Sequence, residues 1–236
     1  MELLGSVIAW LADPGRWQGA DGIPNRVGEH LWLSGLAVLV ALLLASPVGV
    51  WLGHRGRGGF VAVTIAGLGR ALPSLVLLAF ALPLSIALGL GLGFWPTLVA
   101  LIPFGIPPIL TNSYTAVRAV DPDVVEAGRG VGLSEWQVLR AVELPIAAPL
   151  IVAGIRNAAV AIVATATLGA LVAGGGLGRY IVDGLALQDH RRLFVGALLV
   201  ALLAVVTEVL FGLLERAITS PAVRGGSDRV ARPPRA

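Results

Sequence analysis

The chain has no cysteine, no lysine and few charges, and each shortage closes off a class of function. Without cysteine there is no disulfide, no thiolate metal site and no cysteine nucleophile. Without lysine all seventeen basic residues are arginine, so no phosphate-binding loop ending in Gly-Lys-Ser/Thr exists. The chain is therefore not expected to hydrolyse ATP by itself. Charged residues make up only 13% of the 236, against 56% hydrophobic residues and a mean hydropathy of +0.87. A soluble domain of this length needs far more charge to cover its surface. The three histidines, His30, His54 and His190, are scattered without ligand spacing. No Ser/His/Asp set and no carboxylate pair suggests catalysis, which disfavours an intramembrane enzyme and implies no metal. The net charge of +3 is small, and the arginines read as topology signals rather than nucleic-acid contacts.

What is present is apolar sequence in long runs. Five stretches are long enough to cross a hydrocarbon core of about 30 Å as helices: Leu31–Gly53, Ala71–Leu90, Trp95–Val117, Ile146–Ala173 and Leu193–Leu214. Helices fit better than barrel strands, because the runs are continuous rather than alternating. A sixth span can be drawn from Phe60, but Arg70 and Pro73 interrupt it. The 33 residues Gly58–Leu90 are too few for two crossings at about 1.5 Å per residue. One broken element starting at the inner surface is preferred, with Arg70 snorkelling to the headgroups. The expected class is an all-α membrane protein of about five spans. Residues 1–30 do not read as a cleavable signal: Glu2 precedes the short apolar piece Leu3–Leu11, and Asp13-Pro14-Gly15 ends it as a turn. A short extracytoplasmic surface helix is expected there. Residues 31–217 would form the membrane domain, and 218–236 a cytoplasmic, unstructured tail.

Arginine placement gives the spans a direction. The loop His54-Arg55-Gly56-Arg57 and the tail with Arg216, Arg224, Arg229, Arg232 and Arg235 belong inside by the positive-inside rule. The N-terminus and the uncharged turn Gly89–Phe94 then lie outside. Arg179, Arg191 and Arg192 in the outer stretch Gly174–Arg192 dissent.

The inner segment 118–146 is too long for a mere connector. Asp121-Pro122 starts one helix, with Val124, Val125, Ala127 and Gly128 as a small apolar face. Ser134 starts a second that carries Trp136, Val138, Leu139 and Val142, and Pro145 is expected to close it before the membrane is re-entered. The glycines Gly128, Gly130 and Gly132 join the two into a ledge where another surface can approach closely.

At these residues the chain resembles permease subunits of ABC importers. Their signature is Glu-Ala-Ala, three residues, Gly, nine residues, an aliphatic, any residue, then Leu-Pro. Here Glu126-Ala127-Gly128, Gly132, Val142 and Leu144-Pro145 stand at that spacing, with Gly128 for the second alanine and Val142 for isoleucine. The resemblance implies a type I, methionine-importer-like helical bundle whose ledge is a coupling helix docking on an ATPase, with Glu126, Ala127, Gly128, Gly132, Leu144 and Pro145 as coupling residues. Arg70–Leu75, Pro108–Thr115, Ala153–Asn157 and Gly174–Ile181 resemble the osmoprotectant branch, which imports glycine betaine, carnitine, choline or related compounds. The resemblance implies two ATPase subunits holding the ATP and magnesium, a second permease copy or homologue, a location in the plasma (inner) membrane and no cofactor in this chain. Some relatives carry a fused binding domain; this sequence ends at Ala236, so a separate extracytoplasmic binding protein is expected. The alternatives are a permease for another small solute such as an amino acid, and an ATP-independent secondary transporter.

Polar residues within the spans are costly unless they face a neighbouring helix or a wet cavity. Thr111, Asn112 and Tyr114 are candidates for lining the pathway, Tyr114 by cation–π contact with a cationic solute. They serve equally for helix packing or capping. Ser74, Thr165 and Thr167 carry the same two readings. Glu208 can pair with Arg70 or Arg156, a structural role, with proton coupling as its functional alternative. The fourth span is rich in small residues from Gly154 to Ala170 and is expected at the centre of the bundle, facing a partner subunit or the pathway. Gly169→Leu is therefore expected to impair solute uptake by cells at normal expression; normal uptake would contradict that placement.

Overall fold

The computed structural model describes residues 2–60, 64, 67 and 73–219. Regular structure among them is helical: α1 (Glu2–Ala12), a 3₁₀ turn (Pro14–Trp17), α2 (Ile23–Arg55), α3 (Ser74–Ala87), α4 (Phe94–Arg118), α5 (Pro122–Gly130), α6 (Glu135–Val172), α7 (Gly178–Ala186) and α8 (His190–Ile218). Helices are the form in which a membrane segment satisfies its own backbone donors and acceptors. Four of them, α2, α4, α6 and α8, are long and apolar enough to cross a bilayer. The remaining expected span, Ala71–Leu90, is represented by α3, whose 14 residues rise about 21 Å, short of the roughly 30 Å core. Arg70, and most of the stretch from Phe60 to Pro73 on which a sixth span depends, lie outside the described residues, as does the tail beyond Thr219.

The tightest crossing joins α2 to α4. Along α2 a small residue recurs every fourth position, at Ala37, Ala41, Ala45, Gly49 and Gly53, and all five are buried. That spacing keeps them on one stripe of the helix, so the α4 backbone can approach closely. A β-carbon at Gly49 would stand 2.6 Å from the Leu110 carbonyl oxygen, and one at Gly105 of α4 would stand 2.6 Å from Cβ of Ala41. The fourth predicted span, α6, packs on α2, α4 and α8, which puts it at the centre of the bundle. Its small residues serve contacts within this chain: Gly154 lies on Asn112 and Pro108, and Gly169 lies on Thr97. By contrast, α8 leaves Leu202, Val205, Val206, Val209, Leu210, Leu213 and Leu214 exposed, an apolar surface that suits lipid.

Three expectations change with the structure. Pro145 does not end a helix before the membrane. α6 is continuous from Glu135 to Val172, with a π turn at Leu139–Glu143 in which the Leu144 N–H bonds the Leu139 carbonyl. The wider turn relieves the clash a proline ring makes with the carbonyl four residues earlier. The outer stretch Gly174–Arg192 is not a plain loop either, since it contains α7. There Arg179 and Arg192 both pair with Asp183, at 3.3 and 2.8 Å, so the dissenting positive charge is partly offset. The N-terminal helix is more than a surface feature: Val7 and Trp10 of α1 are buried with Tyr180, Val195 and Val200.

If the α4–α6 crossing depends on Gly154, Gly154→Leu forces overpacking that costs about 1–3 kcal/mol. A lower thermal-denaturation midpoint in detergent is expected for it. Gly35→Leu, at a position with nothing within 4 Å of the added carbon, leaves the midpoint near that of the unmodified chain.

Candidate functional site

The ledge between α4 and the membrane part of α6 is built from local signals. The Asp121 carboxylate accepts the Asp123 N–H at 2.9 Å and Pro122 occupies the first turn, so α5 starts there. Of its expected apolar face, Val125 and Gly128 are buried, whereas Val124 and Ala127 are exposed. Val125 packs with Val120, Val138 and Leu133 into a small core of its own. Gly132, at φ +90°, makes the turn between the two helices. Its N–H bonds the Arg129 carbonyl, and the Leu133 N–H bonds the Gly128 carbonyl, closing α5. A residue with a β-carbon is strained in that conformation. Ser134 and Gln137 then form a reciprocal capping box that starts α6.

One face of the ledge is open. Glu126 and Ala127 are exposed there, as are Val131, 79% exposed, and Trp136, 65% exposed. A tryptophan and a valine held out from an otherwise packed turn are the kind of apolar anchors a partner buries. Of the other signature residues, Gly128 faces inward against Val142 and Val138, Leu144 is half-buried, and Pro145 is exposed. A cleft of about 490 Å³ between the ledge and the end of α2 is lined by Trp51, His54, Arg55, Arg129, Glu135, Trp136 and Leu139. A second, of about 230 Å³, runs from Gly56 and Arg118 to Glu126 and Arg129. The ledge and the basic end of α2 therefore lie at the same end of the bundle.

Charged groups fasten this end. Arg129 donates from both Nε and a terminal nitrogen to the two carboxylate oxygens of Glu135, at 2.9 and 3.0 Å. Those hydrogen bonds hold the Arg129 guanidinium above its ordinary value. His54 Nδ1 lies 2.6 Å from Oε2 of Glu143, and its Nε2 lies 3.4 Å from Glu135. Sequence reading passed over both His54 and Glu143. The available signal was topological: His54 ends the helix before the loop expected inside and Glu143 immediately precedes Leu144-Pro145, so charge placement put both at the same end of the bundle.

The other sequence candidates are spread through the bundle. Ser74 and Thr165 meet, with Thr97 and Gly169, at a cavity of about 10 Å³, the size of a single water at most. Asn112 donates to the Pro108 carbonyl at 2.8 Å on the side facing Gly154. Tyr114 is half-buried against the α2–α4 core, its backbone beside Gly49 and Gly53 and its ring beside Gly59. Thr111 Oγ1 is buried, and Thr167 donates to the Ala164 carbonyl at 3.0 Å. Glu208 pairs with Arg156 at 3.5 Å, and Arg156 also reaches Glu215 at 3.0 Å, which supports the structural reading of Glu208. Its other candidate partner, Arg70, lies outside the described residues.

At the opposite end, Arg26 bonds Asp21 and Glu29, and holds the Asp21 carboxyl below its ordinary value. Glu29 in turn accepts the Gly176 N–H at 2.7 Å, and His30 Nε2 donates to the Val163 carbonyl at 2.9 Å. Gly176 has φ +80° and lies on His30, so this glycine-rich turn is shaped to receive the end of α2. Among the described residues, no group of three or more His, Cys, Asp or Glu could hold a metal ion.

Comparison with known proteins places the chain. The profile described as binding-protein-dependent transport system inner membrane component matches residues 35–220. A glycine betaine/carnitine/choline transport system permease protein of Bacillus subtilis is 37% identical over 85% of this chain and 90% of its own length. A choline transport system permease protein of the same organism is 40% identical over 81% of this chain and 86% of that one. An osmoprotectant import permease protein of Salmonella typhimurium is 36% identical over 83% and 91%. Among solved structures, a chain of the inward-facing methionine ABC transporter superposes with a TM-score of 0.74 at 22% identity, covering 89% of this chain and all of that one. That likeness shows the fold: a type I importer permease bundle.

The ledge geometry makes one turn residue decisive. Gly132→Ala is expected to destabilise the ledge by about 1–2 kcal/mol. Limited proteolysis should then cut faster between Asp121 and Pro145. Gly130→Ala, within α5 and with open space around the added carbon, leaves the cutting rate unchanged or slows it.

Proposed function

Because the chain belongs to the family of binding-protein-dependent transport system inner membrane components, we propose that it is the membrane subunit of an ABC importer for a compatible solute. Glycine betaine, carnitine, choline or a similar quaternary amine is the solute class, in line with what the similar permeases are named for. The observation that carries the coupling role is the ledge: signature residues Glu126 and Ala127 stand exposed on α5, as do Val131 and Trp136 on either side of the turn that Gly132 makes at φ +90°.

In this reading residues 31–217 form the permease domain and 118–146 its coupling loop. Two ATPase subunits bind ATP and magnesium and close on each other. Glu126, Ala127 and Gly132 meet them directly, while Gly128, Leu144 and Pro145 shape the ledge from behind. The ledge moves with that closure, and the helices pass from inward- to outward-facing beside a second permease copy or homologue. An extracytoplasmic binding protein delivers the solute. The N-terminus lies outside, and the ledge, the Arg55–Arg57 loop and the C-terminus lie inside. The cluster of both inner loops at one end of the bundle supports that orientation. No bond is made or broken in this chain.

Co-purification tests the assignment. The ATPase is expected to purify with the unmodified chain and to be lost from Glu126→Arg and from Gly132→Trp, with solute uptake by vesicles falling in parallel. Full retention of the ATPase by both variants, or gradient-driven uptake by the purified chain alone, contradicts it.

A further inference from the structure

We infer that α2, whose Pro47 lies in the stretch packed against α4, is a link between the ledge and the outer rim of the bundle, and that His54 and Glu143 are the positioning residues that fasten its inner end. The inference rests on the importer reading above and adds to it a route by which ledge movement leaves the cytoplasmic surface.

Glu143 is the first argument. It is only 4% exposed, and among the described residues it is the one carboxylate in the buried class. Burying an ionisable group is costly unless it is paired and hydrogen-bonded, and a leucine in its place would pack with neither cost. Its partner is His54, a largely covered side chain at the edge of the cleft, in the last turn of α2. The π turn Leu139–Glu143 is what carries Glu143 at the junction of ledge and membrane helix. Around the pair stand Glu135, 3.4 Å from the other ring nitrogen, and Arg129 bound to Glu135, so both ledge helices connect to His54.

Directionality is the second. Val50 of α2 also touches the Leu139–Ala147 cluster, but apolar contacts are non-directional and tolerate sliding. Pulling His54 from Glu143 leaves the buried carboxylate without its imidazole partner, so the hydrogen bond makes ledge and helix move together. From His54 the helix runs to Glu29, 25 residues away and about 38 Å at 1.5 Å per residue. There Glu29 holds the Gly176 N–H and His30 holds the Val163 carbonyl, both on or after α6. A link anchored by specific hydrogen bonds at both ends transmits displacement along its axis. The link also carries α4, through the close stripe of Ala37 to Gly53.

The test uses the complete transporter, chain with ATPase and binding protein, in proteoliposomes, and reads solute moved per ATP hydrolysed. His54→Ala and Glu143→Ala are expected to capture the ATPase yet lower that ratio about tenfold, within the usual range of coupling between sites. His54→Asn, whose amide nitrogen can stand where Nδ1 does, restores most of the ratio. A purely structural role would lower assembly and leave the ratio of the assembled fraction unchanged. If His54→Ala does not assemble, the double variant His54→Ala/Glu143→Ala, which leaves no orphaned carboxylate, is read instead. An unchanged ratio in the variants that assemble, or no recovery in His54→Asn, overturns the link. If the unmodified complex shows no ATP-driven uptake, the importer reading itself fails and takes the link with it, a different result from a coupled wild type and coupled variants.

Discussion

Within a bilayer no water is available to backbone amides, and every N–H and C=O in the spans must find a partner in the protein. That constraint accounts for the helical architecture and for the way this chain handles proline. Pro47, Pro83, Pro103, Pro107, Pro108 and Pro149 all sit inside helices, where each removes a donor and pushes against the preceding turn. Such positions hold only when neighbouring elements take up the freed groups and fix the backbone. α4 contains three of these prolines and is packed by α2, α3 and α6. Asn112, one turn after Pro108, adds a side-chain donor to that carbonyl. Pro145 meets the same constraint differently, through the π turn before it.

Lipid gives apolar side chains little reason to prefer one another, so close packing has to hold the helices together. The stripe from Ala37 to Gly53 supplies it between α2 and α4, and Gly154 and Gly169 supply it between α4 and α6. The consequence is mechanical. Helices in backbone-level contact move as one body, whereas α8, packed on α6, α7 and α1 along one side, presents large apolar side chains along the other as the bundle's lipid-facing edge. Polar groups appear where bodies must be joined at a defined register: His30 to Val163, Glu29 to Gly176, and His54 to Glu143.

Much of this was legible in the residues. Long apolar runs located α2, α4, α6 and α8, and Asp121-Pro122 and Ser134 located the ledge helices, because capping and burial are local signals. The spacing Glu126, Gly132, Leu144-Pro145 singled out the ledge, on which Glu126 and Gly132 are exposed. Long-range and conformational features were not legible. Pro145 read as a stop, since a π turn has no sequence mark of its own. Within the run Ala71–Leu90 the described helix is Ser74–Ala87, a boundary that hydropathy does not mark. His54 and Glu143 are 89 positions apart, and only the fold makes them neighbours. Likewise the outer arginines looked like a violation of charge topology until Asp183 was seen between Arg179 and Arg192.

The two ends of α2 differ in chemistry in a way that fits unequal duties. At the outer end several bonds share the work: Arg26 with Asp21 and Glu29, Glu29 with Gly176, and Tyr180 with the Asp21 carbonyl. Part of that cluster is exposed, so water can replace a lost contact at small cost. The inner end centres on Glu143, only 4% exposed, and its partner His54, so a lost contact there costs more than one at the exposed rim. In the proposed importer cycle, a junction that follows a partner's movement without slipping needs the second arrangement, and a rim that opens for a delivered solute is better served by the first. The asymmetry follows from burial alone, and it puts the stiff joint beside the ledge and the yielding one at the mouth.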